Sequence, residues 1–506
     1  MTSANARIAS NMVALYVRTI VTALVSLYTS RIVLDQLGLI DFGIWGLVGS
    51  LVILASFFRA AIGNSTQRFL NFSLEKDGID EARKVFATAL SIHLMLAAAV
   101  FLIALSAGSW VLNNVARIEA ERLGAANFVL VFATLSFMVS LATTPFNAAI
   151  VANERMTAFA YTSLLEAVLR LGTAFMLQIS GPDKLKLYSV LMFLVSLIMA
   201  GVFIAFATSR FPESRTRPRI EHRYFSEMVS FSSWTTLSQI SILLRLQGIN
   251  LLLNVFFGTP INSSMSIATQ VNNNIRNLYT TFTAAISPQL VKSYAAGDIR
   301  KMHNHIFNGC KISFFLLLFF SLPIILETEI ILALWLTTVP PYAVIFVRLI
   351  LLQSLVEVFA AVTGTAQGAT GKVRTYHITL TAVGILNLPV SYLFLRAGAP
   401  PYVTFYVAII ISAVVAVIRV LFLRKSVGLS VRAFATRVVT RCVLVALASV
   451  VPVLLVRNIY PPGLSHLILV TGTSMLAVLA AVWGVGLTAS ERARIGGMAA
   501  RRLRWS

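Results

Sequence analysis

The sequence predicts an all-α polytopic membrane protein of about fourteen transmembrane helices, arranged as two parallel six-helix repeats plus a C-terminal helix pair. Three observations predict it: apolar runs of about 20 residues, a basic charge that alternates from loop to loop, and an internal repeat. Of the 506 residues, 58% are hydrophobic and 12% charged, and the mean hydropathy is +0.83. A soluble domain carries roughly 25% charged residues, so the apolar excess here is lipid-facing surface.

The runs place spans at 11–34, 38–61, 85–107, 125–149, 158–180, 186–208, 228–256, 264–290, 311–335, 342–367, 376–395, 402–423, 442–457 and 464–488. The longest loops, 62–84, 209–227 and 291–310, are too short to hold a soluble catalytic domain. The segment around Arg18 lacks a small-residue cleavage site, so it reads as the first span and not a cleaved signal peptide.

A net charge of +22 would suggest nucleic acid in a soluble chain. Its distribution argues otherwise. With the N-terminus placed in the cytoplasm, odd-numbered loops hold seven of the 41 Lys and Arg residues. Even-numbered loops and both termini hold 27, and seven arginines lie within spans. That asymmetry is the positive-inside rule, and it places both termini in the cytoplasm. No nucleic-acid partner is expected. The two cysteines, Cys310 and Cys442, sit at predicted cytoplasmic helix ends and suggest neither a disulfide framework nor a zinc site.

A shift of 220 positions superimposes Gly38 on Gly258 and carries the loop Asp77-Gly78-Ile79 onto Gly297-Asp298-Ile299. After a three-residue gap, Ala152-Asn-Glu-Arg155 falls on Ala369-Thr-Gly-Lys372, and Gly181 on Gly398. Loops and spans stay in phase through six helices. Six is even, so both repeats insert with the same orientation, and a cleft between two such bundles is the expected substrate site. The predicted divisions are a bundle over 1–210, a second over 211–427, and over 428–506 two appended helices with a basic tail. Spans 13 and 14 have no repeat partner and read as an appendage.

An ionisable group inside the bilayer is a functional candidate, because insertion at the centre costs about 2.5–3.5 kcal/mol. Arg419 lies near a cytoplasmic end and reads as snorkelling. Arg59 and Arg348 lie one to two turns from an end, where a structural and a functional role are equally open. Arg170 follows Glu166 by four residues and reads as a helix ion pair. Arg18, Arg245 and Arg276 are deeper and have no carboxylate within a turn. Polar stripes accompany them: Gln270, Asn273 and Asn277 beside Arg276, and Asn250 beyond Arg245. Such stripes can bond helix to helix, but unpaired central arginines fit a water-filled cationic cavity better. Guanidinium suits phosphate oxygens, and diphosphate is the obvious anion. Glu357 and Glu166 are the acids deep enough for proton or cation coupling. No nucleotide loop is visible, and no cofactor or metal site is expected. The acids of Glu75-Lys-Asp-Gly-Ile-Asp-Glu81 read as a solvated loop, and His93 as a helix-contact histidine.

Leu15-Tyr-Val-Arg18, Leu27-Tyr-Thr-Ser-Arg-Ile-Val-Leu34, Asp41-Phe-Gly-Ile-Trp45 and Thr66-Gln-Arg-Phe-Leu70 together resemble the N-terminal signature of polysaccharide (O-antigen type) flippases. These belong to the multidrug/oligosaccharidyl-lipid/polysaccharide exporter superfamily. Asp183-Lys-Leu-Lys-Leu-Tyr188, Gln247-Gly-Ile-Asn-Leu-Leu-Leu-Asn254, Ser287-Pro-Gln-Leu290 and Asn387-Leu-Pro-Val-Ser-Tyr392 extend the resemblance through span 12. It implies export of an undecaprenyl-diphosphate-linked oligosaccharide across the bacterial inner membrane by alternating access, without enzymatic chemistry. The implied partners are that lipid-linked substrate, membrane lipids, and the glycan polymerase and glycosyltransferases of the same pathway. Cationic residues of related flippases lie on spans 1, 2 and 8, which implies Arg18, Arg59 and Arg276 here. The resemblance departs at Met265-Ser266, where the family pattern carries Arg-Gly, a difference at an outer-side anion contact. A drug or metabolite antiporter of the same architecture is the competing reading.

Overall fold

The computed structural model describes residues 3–492, except for 54–55, 77, 154–155, 180–182, 372–373, 458–460, 462 and 490. Within helices it leaves the side chains of 3–20, 231–246, 156–160 and single positions near 53–64 and 278–288 undescribed. The described chain is helical, and each predicted span falls on a helical segment. The first helices are α1 (Ser3–Ile53), α2 (Ser56–Lys76), α3 (Ile79–Ile103), α4 (Ser109–Asn114), α5 (Leu123–Ala152), α6 (Met156–Ile179) and α7 (Lys184–Arg210). Then come α8 (His222–Phe257), α9 (Thr259–Ala295), α10 (Ile299–Leu326), α11 (Thr328–Trp335), α12 (Ala343–Glu357) and α13 (Phe359–Ala369). The last are α14 (Arg374–Ile385), α15 (Asn387–Arg396), α16 (Val403–Val427), α17 (Val431–Phe434), α18 (Thr440–Arg457) and α19 (Leu464–Ala481). Spans 1 and 2 share α1 and α2, while spans 9, 10 and 11 each run through two consecutive helices. Eleven segments among the described residues are long and apolar enough to cross a bilayer. The chain is a multi-pass membrane protein.

Glycine sets the turns that the repeat predicts. Gly38 breaks α1 with φ 74° and ψ 176°, and Gly258 separates α8 from α9 with φ 77° and ψ −169°. Gly78 and Gly297 give the next pair of turns positive φ, 85° and 71°. The backbone region of Gly38 and Gly258 is essentially closed to other residues, at a cost of about 1–3 kcal/mol. Gly38→Ala and Gly258→Ala are therefore expected to lower stability by about that much, with no steric contribution, since an added Cβ at Gly38 meets nothing within 4 Å. Thermal unfolding of the purified variants checks this. Side-chain caps start the helices that follow: Asp183 accepts from the Lys186 N–H at 3.3 Å, and Asp298 from the Lys301 N–H at 2.9 Å.

Contacts divide the chain into two compact units, 1–266 with 335–341, and 267–334 with 342–506. In the first, α5 packs on α1, α2, α3 and α7, and α8 on α2 and α3. One core cluster there holds Leu70, Val85, Phe86, Phe146 and Ile150, with the Phe86 and Phe146 rings edge-to-face at 5.1 Å. The Glu81 carboxylate accepts from Lys84 and from the Tyr224 hydroxyl, joining α3 to α8, so this acid of the solvated loop does structural work.

A buried amide network pins the α8–α9 turn. Asn254 donates to Asn262 Oδ1 at 2.8 Å, and Asn262 donates to the Asn250 carbonyl and side-chain oxygens at 2.9 and 2.8 Å. Asn254 also accepts from the Arg117 N–H at 2.8 Å, and Thr259 donates to Glu119 at 3.1 Å. Asn254 and Asn262 are fully buried, so these bonds supply the pairing that water cannot.

In the second unit, α12 and α13 pack on α10 and α16, and α14 and α15 on α16. α18 and α19, which carry spans 13 and 14, pack on each other and on α10. Two charge contacts fasten them. Lys311 is buried on α10 and donates to both Glu491 oxygens at 2.7 and 2.9 Å. Glu327, also buried, lies 2.9 Å from Arg457 Nε and 3.4 Å from His466 Nε2.

Candidate functional site

Within the first unit, the second half of α1 together with α2, α5, α6 and α7 encloses a cavity of about 730 Å³. That volume lies in the usual range for small-molecule sites, about 300–1,000 Å³. Each helix contributes one face. α1 supplies Trp45 and Val52, α2 supplies Arg59 and Gln67, and α7 supplies Val195, Ser196 and Phe203. α6 supplies Glu166 and Arg170, and α5 a run of Ser136, Ser140, Thr143, Thr144 and Asn147. The α5 run follows helical spacing, i, i+4, i+7, i+8 and i+11, so its members share one side of the helix.

Arg59 is exposed into this space and donates from Nη1 to the Ser140 hydroxyl at 2.6 Å. Among the described residues it has no carboxylate within ion-pair distance. Arg170 differs: its Nε and Nη2 both reach Glu166 Oε1, at 3.0 and 2.7 Å. The helix pair expected from the spacing forms, and it lies on the cavity wall. The charges of Glu166 and Arg170 cancel there, and Arg59 leaves the described lining with one net positive charge. In a low-dielectric setting such a cation favours an anionic or oxygen-rich occupant.

The side chains of Arg18 and Arg245 lie outside the described residues. Arg276 is exposed on α9, together with Asn273 and Asn277, while Gln270 is half-buried. Neighbouring Asn272 accepts from the Ser354 hydroxyl at 2.6 Å, tying α9 to α12. Glu357 ends α12, and its Oε1 accepts from Gln353 at 3.0 Å and from Ser412 at 2.7 Å.

Two residues are placed otherwise than expected. Asn250 does not line the cavity; it is buried in the amide network at the α8–α9 turn, where its oxygens accept from Asn262. Arg419 does not snorkel. It turns inward to the Tyr376 hydroxyl and the Ala360 carbonyl, with its guanidinium 5.5 Å from the Tyr376 ring centre. The α5 stripe was missed, although the same polar periodicity used for span 8 would have found it. Arg348 is held by the Ile325 carbonyl at 3.1 Å and by Glu329 at 3.3 Å. His93 is buried and donates from Nδ1 to the Ala89 carbonyl at 2.8 Å, a helix-contact role.

No protein-family model and no curated protein matches the sequence. Solved structures do match. The lipid II flippase MurJ in an inward closed conformation aligns with a TM-score of 0.69 at 12% identity, over 92% of this chain and 97% of that one. An inward-facing multidrug resistance MATE family transporter of the MOP superfamily aligns at 0.64 and 16% identity, over 80% and 98%. A MATE protein in complex with MaD3S gives 0.54 at 16% identity, over 83% and 96%. The chain thus has the fold of these membrane transporters and of this flippase.

Proposed function

We propose that this protein is a flippase that moves an undecaprenyl-diphosphate-linked oligosaccharide from the cytoplasmic to the outer face of the inner membrane. The glycan would serve surface polysaccharide synthesis (O-antigen, capsule or exopolysaccharide), and both termini would lie in the cytoplasm beside the polymerase and glycosyltransferases of the pathway. The observation that carries this reading is Arg59: a guanidinium in a transporter-fold cavity, held only by a neutral hydroxyl among the described residues. Such a group can give its remaining N–H donors to a diphosphate or to glycan oxygens. Arg18, Arg245 and Arg276 are proposed to grip the diphosphate while the prenyl tail stays in lipid. Rocking of the two repeats would then expose the head to the other side.

Single alanine variants of Arg18, Arg59, Arg245 and Arg276 test this in a strain deleted for the chromosomal copy. A lost charge-assisted bond is worth about 1.5–3 kcal/mol, so surface glycan is expected to fall about tenfold or more while membrane protein level holds. Full glycan display by all four variants would sink the proposal. The MATE neighbours and the hydrogen-bonded Glu357 favour one alternative, a cation-coupled drug or metabolite antiporter in which Glu357 or Glu166 carries the coupling ion. Resistance to lipophilic cations in a host without any lipid-linked glycan would support that reading instead.

A further inference from the structure

The geometry points to the cavity inside the first unit as a carbohydrate pocket that receives a sugar residue of the transported glycan. This rests on the flippase reading and assigns part of the substrate to a particular place. The argument begins with where the hydroxyl protons on α5 and α7 go. Ser136 donates to the Phe132 carbonyl at 2.8 Å, Thr143 to Val139 at 3.0 Å, Thr144 to Ser140 at 2.9 Å, and Ser196 to Phe193 at 2.6 Å. Each proton is spent on its own helix, so each oxygen offers the cavity lone pairs alone. The Glu166 carboxylate adds further acceptors. A wall of this kind matches an occupant rich in O–H donors.

The complementary donors are few and fixed. Arg59 presents the N–H groups not used on Ser140, and Ser140, which accepts from Arg59, keeps its own proton to give. The amides of Asn147 and Gln67 both donate and accept. Apolar surface comes from Trp45, half-buried with its ring 4.6 Å from that of Tyr188, and from Phe137 and Phe203. Sugar rings combine these demands: hydroxyls around the edge and a C–H face to lay against an aromatic ring. A lipophilic cation does not fit as well. Glu166 is the one carboxylate among the described lining residues, Arg170 already neutralises it, and Arg59 would repel the ligand.

Saturation-transfer NMR on the purified full chain in nanodiscs tests the assignment, with methyl α-glucoside, N-acetylglucosamine and tetraphenylphosphonium as probes. Transfer to the ring protons of at least one sugar is expected, falling about fivefold or more in the double variant Thr144→Val with Glu166→Gln. Both changes keep side-chain volume, and an unchanged melting temperature shows that the fold is kept. Transfer to tetraphenylphosphonium alone, or an undiminished sugar signal in the variant, would overturn the pocket. Glycan display by the wild-type chain is followed in parallel. Its absence with sugar binding intact would count against the flippase reading and leave the pocket standing.

Discussion

Gly43→Ala is expected to prevent stable assembly of the first unit. A Cβ added at Gly43 would lie 2.1 Å from the Thr259 carbonyl oxygen and 2.9 Å from its carbon. Backbone cannot rotate away as a side chain can, so α1 or the start of α9 must shift bodily. Neither is free to do so. Thr259 is fully buried and bonded to Glu119, and the Ser263 and Ser264 hydroxyls donate to the Leu39 and Pro341 carbonyls. One turn along, Gly46 would place a Cβ 2.2 Å from Ser266 Oγ, so the two helices touch along a face made of glycine. Overpacking alone costs about 1–3 kcal/mol. Opening the buried amides of Asn250, Asn254 and Asn262 adds roughly 1–3 kcal/mol for each group left unpaired. The variant should melt far below the parent or fail to leave detergent extraction as a monodisperse peak. Gly201→Ala is the control: nothing lies within 4 Å of its added Cβ, and a mid-helix alanine should raise stability by about 0.5–1 kcal/mol. A Gly43→Ala protein with the parental melting temperature would refute the packing argument.

This contact also shows what a sequence discloses and what it withholds. Asp41-Phe-Gly-Ile-Trp45 is readable as part of a family-like signature, but nothing in it says that Gly43 exists to admit the Thr259 backbone. The spans were legible because a bilayer imposes length and apolarity on each helix separately, and the turns because Gly38, Gly78, Gly258 and Gly297 punctuate both repeats. The Glu166–Arg170 pair was legible because its spacing lies within one helix. The cavity was not, since its lining is shared among five helices and each contributes a short face. Asn250 illustrates the harder limit. A buried amide beside a polar stripe suits a ligand or a neighbouring helix equally, and only the position of Asn262 decides. The Lys311–Glu491 pair was hidden for a related reason: a charge pattern read along the chain cannot see a carboxylate 180 positions further on.

That lysine carries the second large expectation. Glu491→Ala should destabilise the second unit by about 3–5 kcal/mol, whereas Lys311→Met should cost only about 1 kcal/mol or less. The two changes remove the same ion pair, but they leave different remnants. Lys311 keeps 5% of its side-chain surface exposed, so without its partner an ammonium would remain dry and uncompensated. Glu491 keeps 23%, and its carboxylate also accepts from the Thr488 N–H at 2.8 Å, so it tolerates the loss of the lysine. Acid should mimic the alanine variant. Burial raises the pKa of Glu491, but the Lys311 and Thr488 hydrogen bonds and the lysine charge outweigh it and hold the carboxyl below its ordinary 4.5. A depressed carboxyl stabilises fully above the unfolded value and loses that contribution as pH falls through the folded one. Melting temperature should therefore drop below about pH 4.5 in the parent. In Lys311→Met that component of the drop should shrink, because the group that made ionisation favourable is gone. Equal melting temperatures for Glu491→Ala and Lys311→Met would mean that the lysine reaches water by another route and that this ion pair does not help to hold the C-terminal helices to α10.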